Sequence, residues 1–243
     1  MMKTLQIIVI TLAALAGCNK KAETAPITSI DTVVITKTMN KADTLSYLAL
    51  GDSYTIGESV PQNDSYPYQL VSLLEGQSIP VHPPTIIAVT GWTTQDLISA
   101  IASSTINSKK YDFVTLLIGV NDQYQGLSQS DYSTKFAQVL NTAINFANGD
   151  TSKVFVLSIP DYGVTPFANG QDNVIGPQID QFNAINKAIS QKASVNYLDI
   201  TPISRKAATD PSLIAPDGLH PSGKMYTLWM QLLEPMVAGK IKK

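Results

Sequence analysis

The stretch Tyr47-Leu48-Ala49-Leu50-Gly51-Asp52-Ser53 decides the fold. Its first four residues form an unbroken apolar run, the signature of a strand covered on both faces rather than one with a wet side. Gly51 stops the run and a polar pair follows at once. A parallel strand that ends this way presents a hydroxyl at its carboxyl end, the rim where open α/β sheets bind their ligands. The same Asp-Ser pair also suits the N-cap of a following helix, where both residue types are favoured. On this segment alone the structural and the chemical readings stand level.

Working outward, the run repeats. Continuous apolar, β-branched segments recur at 85–89, 113–118, 154–159 and 195–200, and each is separated from the next by a segment with helical spacing. The expected helices cover 66–75, 95–106, 131–148, 177–192 and 225–238. Pro67 suits a first turn and Gly76 a helix end, Thr93 or Thr94 caps the second helix, and residues 161–176 read as a long loop. Residues 204–217 read mostly as loop as well. Fully apolar strands alternating with helices predict an α/β fold, a three-layer α/β/α sandwich on a mainly parallel five-stranded sheet of the flavodoxin-like class.

Ahead of this domain the chain has a different character. Lys3 precedes an apolar run over 5–16, too short for a bilayer span of about 20 residues but laid out as an export signal. The run ends in Leu15-Ala16-Gly17-Cys18, which resembles the lipobox of bacterial lipoproteins. That resemblance implies cleavage before Cys18 and a lipid on its sulfur, and hence an exported, lipid-anchored envelope protein. Cys18 is the only cysteine of the 243 residues, so no disulfide forms within the chain despite the export signal. The expected division is a signal over 1–17, a tether over 18–43 and the domain over 44–243, with residues 32–36 a candidate edge strand. A net charge of −2 gives no basic face for nucleic acid.

Three polar stops, Ser53, Gly91 and Asn121, follow the first three strands and fall on one rim of a parallel sheet. A fourth signal, Asp217-Gly218-Leu219-His220, precedes the last helix. Taken singly, Gly91 suits a tight turn, and Asn121-Asp122 and Asp217-Gly218 suit ordinary turns. A serine hydroxyl needs a neutral imidazole to take its proton before it attacks an acyl carbon. Of the two histidines, His82 sits before the second strand, toward the amino end of the sheet, which leaves His220 as base.

Gly51-Asp52-Ser53-Tyr54, Gly91, Gly119-Val120-Asn121-Asp122 and Asp217-Gly218-Leu219-His220, in that order, resemble the four blocks of the SGNH or GDSL hydrolases. The resemblance implies Ser53 as nucleophile, His220 as base and Asp217 as the group orienting the imidazole. It implies an oxyanion hole from the N–H groups of Ser53 and Gly91 and the Asn121 amide, and no metal or cofactor. Tyr54 stands where the family name has Leu and is expected to pack beneath the loop. Tyr124, Gln125, Tyr162 and Phe167, which follow the third and fourth strands, are the candidate substrate rim. The expected partner is a small acyl ester, with a membrane engaged through Cys18. The expected activity is a carboxylic ester hydrolase on short- to medium-chain acyl esters. A lysophospholipase or thioesterase on longer chains, and a non-catalytic envelope lipoprotein keeping the fold, remain open alternatives.

Overall fold

The computed structural model describes residues 44–242. The expected export signal over 1–17, Cys18, the expected tether and the candidate strand over 32–36 lie outside the described residues. Among the described residues no helix is long and apolar enough to cross a membrane.

Five strands, β1 (Tyr47–Gly51), β2 (Thr85–Ala88), β3 (Phe113–Leu117), β4 (Val154–Leu157) and β5 (Asn196–Leu198), form one sheet in the order β2-β1-β3-β4-β5. Every pairing is parallel. The central strands β1, β3 and β4 are buried along their whole length, while β2 and most of β5 are half-covered edges. That difference is why the three inner strands read as unbroken apolar runs.

Helices cover both faces. The α2 (Tyr66–Gly76) and α8 (Gly223–Ile241) helices pack together on one side, and α3 (Thr94–Ser103), α5 (Gln129–Phe146) and α6 (Asp172–Lys192) on the other. Trp229 and Tyr226 of α8 are fully buried, and the Tyr226 hydroxyl donates to the Tyr54 carbonyl at 3.0 Å. The last helix is thereby tied to the turn after the first strand. Three short helices complete the fold: α1 (Ser53–Ile56), α4 (Val120–Tyr124) and α7 (Thr201–Ser204).

Two expectations shift. The α6 helix starts at Asp172 rather than 177, so Pro177 lies inside it; it forfeits only the one bond its missing N–H would have made to the preceding turn. The segment after β5 holds α7 and two 3₁₀ turns, Arg205–Ala208 and Pro211–Leu213, where mostly loop is expected. Single turns are too short to develop a periodic pattern.

In this strand order the chain leaves β1 in opposite directions, toward β2 and toward β3. The crevice at that reversal, outside the carboxyl ends of β1 and β3, is where sheets of this class hold ligands. Ser53 and Asn121 both sit there, each one or two residues into a short helix that follows its strand.

Candidate active site

At the end of β1 the chain must turn sharply into α1. A Cβ on Gly51 would lie 2.1 Å from Thr55 Oγ1 and 2.3 Å from the Leu117 carbonyl, so only glycine allows β1 and β3 to stay this close at the turn. Asp52 then caps α1, its Oδ1 accepting the Tyr54 N–H at 3.0 Å. The capping reading and the chemical one are therefore divided between neighbours: Asp52 caps, and Ser53 lines a cavity of about 140 Å³.

That cavity collects the other blocks. Gly91, Asn121 and His220 line it together with Ser53, although Ser53 and His220 lie at opposite ends of the domain. No hydrogen bond joins the Ser53 hydroxyl to the imidazole in this structure; such contacts are often long before substrate binds. Gly91 has φ +84°, a conformation that side-chain-bearing residues rarely adopt. Among the described residues the backbone N–H groups of Ser53 and Gly91 have no partner within the protein. The Asn121 side chain is held by one of its amide protons, which donates to the Trp92 carbonyl at 2.9 Å. The second proton of that amide remains for another acceptor.

The turn carrying Asp217 and His220 is closed by its own backbone, with the Ala215 N–H on the His220 carbonyl at 2.8 Å and the Gly218 N–H on the Ala215 carbonyl at 3.0 Å. Asp217 Oδ2 lies 2.6 Å from His220 Nδ1, leaving Nε2 as the free ring nitrogen. Asp217 Oδ1 accepts the N–H groups of Leu219 at 2.9 Å and His220 at 3.0 Å. Burial pushes the Asp217 carboxyl upward, but the bonds from His220, the Leu219 N–H and the Ser59 hydroxyl outweigh it and hold the group well below the usual carboxylate range. The His220 ring is buried and packs edge-on against Tyr54, with centroids 5.6 Å apart. Tyr54 is a packing residue as expected, and what it packs is the imidazole.

Ser59 escaped the sequence reading. Its hydroxyl donates to Asp217 Oδ2 at 2.7 Å, the same oxygen that faces the imidazole, from a backbone held at φ +63°. The neighbouring Glu58 accepts a hydrogen bond from Thr90, beside Gly91. Residues 58 and 59 thus link the turn after α1 to Thr90, which lines the cavity, and to the carboxylate behind the imidazole. Asp122, expected in a loop, lies on α4 and is fully buried; its Oδ1 and Oδ2 accept the hydroxyl and N–H of Thr94 at 2.6 and 2.9 Å. Thr93 is the residue that caps α3.

Of the candidate rim residues, Tyr124, Tyr162 and Phe167 line the cavity and their rings stand 6.1 to 6.4 Å apart. Gln125 is corrected: it is exposed and is not among the lining residues, because it caps the end of α4 and follows the turn of that helix away from the cavity. The Phe167 N–H donates to the Gly218 carbonyl at 3.0 Å, so the aromatic wall is bonded to the Asp217–His220 turn. His82 lies at the amino end of the sheet, its N–H on the Leu45 carbonyl at 2.8 Å. Among the described residues no cluster of His, Cys, Asp or Glu suits a metal ion.

Comparison with solved structures returns the same architecture. TesA aligns with a TM-score of 0.62 at 15% identity, covering 79% of this chain and 97% of that one. The acetylxylan esterase Axe2 from Geobacillus stearothermophilus aligns with a TM-score of 0.61 at 17% identity, covering 82% and 94%. A lipase/acylhydrolase from Enterococcus faecalis aligns with a TM-score of 0.61 at 20% identity, covering 82% and 99%. A search of curated proteins returned no match. The profile of the GDSL-like lipase/acylhydrolase family matches residues 49–228, which takes in all four blocks. The chain belongs to the GDSL-like lipase/acylhydrolase family of ester-hydrolysing enzymes.

Proposed function

We propose that the protein hydrolyses short- to medium-chain acyl esters through an acyl-enzyme on Ser53. The observation that carries this reading is the convergence of Ser53, His220, Gly91 and Asn121 on one cavity, with the imidazole backed by Asp217 at 2.6 Å. Ser53 Oγ attacks the ester carbonyl while its proton passes to His220 Nε2. The oxygen that becomes negative is met by the two unpartnered N–H groups and the free amide proton of Asn121. Asp217 accepts from Nδ1, holding the ring in the tautomer with Nε2 free and stabilising the imidazolium. His220 returns the proton to the leaving alcohol, which departs. Water then enters, gives its proton to His220 and attacks the acyl carbon, and Ser53 recovers its hydrogen as the acid leaves.

The size of the cavity supports the acyl range. Its volume of about 140 Å³ is close to the roughly 150 Å³ that accommodates a benzene ring in an engineered protein core. That is room for an acyl group of about six carbons, with the alcohol toward the open mouth. A series of nitrophenyl esters from acetate to dodecanoate tests it: kcat/KM rises to an optimum near butanoate or hexanoate and falls beyond. A profile still rising at dodecanoate gives the enzyme to longer chains instead. An organophosphonate labels Ser53 in the wild type and not in Ser53→Ala; failure to label the wild type overturns the nucleophile assignment. Asn121→Ala lowers kcat by about 10²–10³ with the fold intact, and a loss below threefold removes the amide from the oxyanion hole. The proposal extends to Cys18 as the lipid attachment point of an exported enzyme, so that Cys18→Ser moves the protein from the membrane to the soluble fraction.

A further inference from the structure

Of the groups that face the oxyanion, Ser53 begins α1 and Asn121 lies on α4, but Gly91 belongs to no helix or strand. It stands exposed between the end of β2 and the start of α3. A Cβ there would meet nothing within 4 Å, so packing does not fix its backbone. Among the described residues neither Thr90 nor Gly91 makes a backbone hydrogen bond within the protein. The turn is spanned by the Trp92 N–H on the Val89 carbonyl, long at 3.3 Å. An N–H that is to meet an oxyanion must be held in direction before the reaction begins, and the main chain alone does not hold this one.

Two side chains do, one on each side of Gly91. Asn121 holds the residue after it, through the Trp92 carbonyl. Glu58 holds the residue before it, its carboxylate accepting from the Thr90 hydroxyl. Glu58 is in turn hung from the nucleophile. Gly57, at φ +77°, ends α1 and turns the chain back at a point where a Cβ would lie 2.4 Å from Ser65 Cβ. The N–H groups of Gly57 and Glu58 then both donate to the Ser53 carbonyl at 3.1 Å. One main-chain bond and one side-chain bond thus connect Ser53 to the residue preceding Gly91.

Resting on the esterase reading above, we propose that Glu58 is a positioning residue for the oxyanion hole, holding Thr90 so that the Gly91 N–H and the Ser53 N–H face one substrate oxygen. Glu58 is not among the residues lining the cavity, so it acts through Thr90 and not on the substrate. Its negative charge is no help to an oxyanion, and partial exposure leaves that charge open to screening. The position needs an acceptor of this reach, and the charge is incidental. Because the oxyanion exists only beyond the ground state, a misplaced donor lowers kcat and leaves KM alone.

The test follows 4-nitrophenyl butanoate hydrolysis in variants whose folding is checked by thermal melts. Glu58→Gln keeps an accepting oxygen and stays within about threefold of the wild type in kcat. Glu58→Ala loses about tenfold in kcat at unchanged KM, less than the roughly 10²–10³ of a donor removed outright. Thr90→Val removes the other end of the bond and gives the same loss, which keeps the test open if Glu58→Ala does not fold. Adding Glu58→Ala to Thr90→Val costs no more than about a further twofold, because the pair acts as one unit. The acid limb of the kcat/KM profile, set by His220, stays in place in Glu58→Ala. Independently of turnover, the Gly91 amide signal in NMR moves in Glu58→Ala and returns toward its wild-type position in Glu58→Gln. An unchanged kcat in Glu58→Ala, equal losses in the Ala and Gln variants, or additive losses with Thr90→Val overturns the role. A displaced acid limb also overturns it, by assigning the effect to the neighbouring Ser59 and Asp217. Failure of the esterase reading is distinct: the wild type then neither labels with organophosphonate nor hydrolyses the ester, whereas failure of the Glu58 role leaves the wild type active.

Discussion

Two aspartates flank the reactive serine and imidazole, and the fold treats them in opposite ways. Asp217 sits on a partly open turn where three hydrogen-bond donors and the His220 ring surround its two oxygens, and it is held as a carboxylate far into acid. Asp52, immediately before Ser53, is fully buried. It receives one side-chain bond, from the Tyr54 N–H, and its Oδ2 has no partner. Burial, aided by the nearby Asp122 carboxyl and opposed by the Tyr54 bond, pushes it up to about 8. One carboxyl is thus kept charged and the other neutral at pH 7, within the same site. The difference is made by donors rather than by burial alone: a carboxylate persists where protein N–H and O–H groups replace the water it lost. The charged one backs the imidazole, where negative charge stabilises the proton-bearing ring. The neutral one underlies the nucleophile, where a second negative charge would oppose the developing oxyanion.

The largest expected effect removes the charge from the first. Asp217→Asn keeps the size of the side chain but not the acceptor pair, and it lowers kcat by about 10⁴ by favouring the wrong imidazole tautomer. Steady-state kinetics on a short nitrophenyl ester reads this directly. A loss of less than tenfold at unchanged stability would break the comparison, because Asp217 would then be an ordinary turn residue.

Asp52 makes the complementary prediction through stability. Its folded-state value lies above the unfolded one, so its contribution is complete below the ordinary carboxylate range and is lost as pH rises toward about 8. The limiting slope for one such group is about 1.4 kcal/mol per pH unit, and in a domain of this size each kcal/mol is worth about 2–4 °C in Tm. Asp52→Asn cannot ionise and abolishes that slope between pH 5 and 8. Asp122, also raised by burial against its Thr94 bonds, keeps its own slope of the same sign. Thermal melts of the two proteins across this range decide the matter: parallel curves would mean that Asp52 is already charged in the native state. Asp217 has the opposite sign, its stabilisation present through neutral pH and lost only as pH falls below the usual carboxylate range.

Much of this was legible in the chain. Strands β1, β3 and β4 read clearly because burial on both faces leaves no polar residue to interrupt them. Ser53, Gly91 and Asn121 read as polar stops because each strand end on the rim must turn. What stayed hidden depends on helix phase or on distant pairing. Gln125 is misplaced because nothing in the sequence marks Val120–Tyr124 as helical, and without that phase it cannot be assigned to a side. The α6 start was displaced because Pro177 resembles a first-turn proline, whereas it sits within the helix. Ser59 was invisible because its one significant partner lies 158 residues away. An exposed serine in a turn carries no pattern of its own.

That serine gives the smallest and most discriminating prediction. Ser59 donates to the oxygen of Asp217 that also faces the imidazole, and it does so from a left-handed backbone that a serine adopts at a cost. It is not among the residues lining the cavity and its side-chain hydrogen bond goes to Asp217, so it acts as a positioning residue, through Asp217. Removing its hydroxyl takes away one of the bonds that keep Asp217 ionised, and the carboxyl moves up toward its ordinary range. Ser59→Ala therefore lowers kcat a few-fold, a fraction of the roughly 1.5–3 kcal/mol that a hydrogen bond to a charged group is worth because Ser59 acts only through Asp217, with KM unchanged and the acid limb of Asp217-dependent stability shifted to higher pH. Ser59→Gly loses the same bond but relieves the backbone, so its activity matches that of Ser59→Ala while its Tm is higher. If the two variants instead differ in kcat, the turn geometry and not the hydroxyl governs the triad, and the charge state of Asp217 rests on its backbone donors and the imidazole alone.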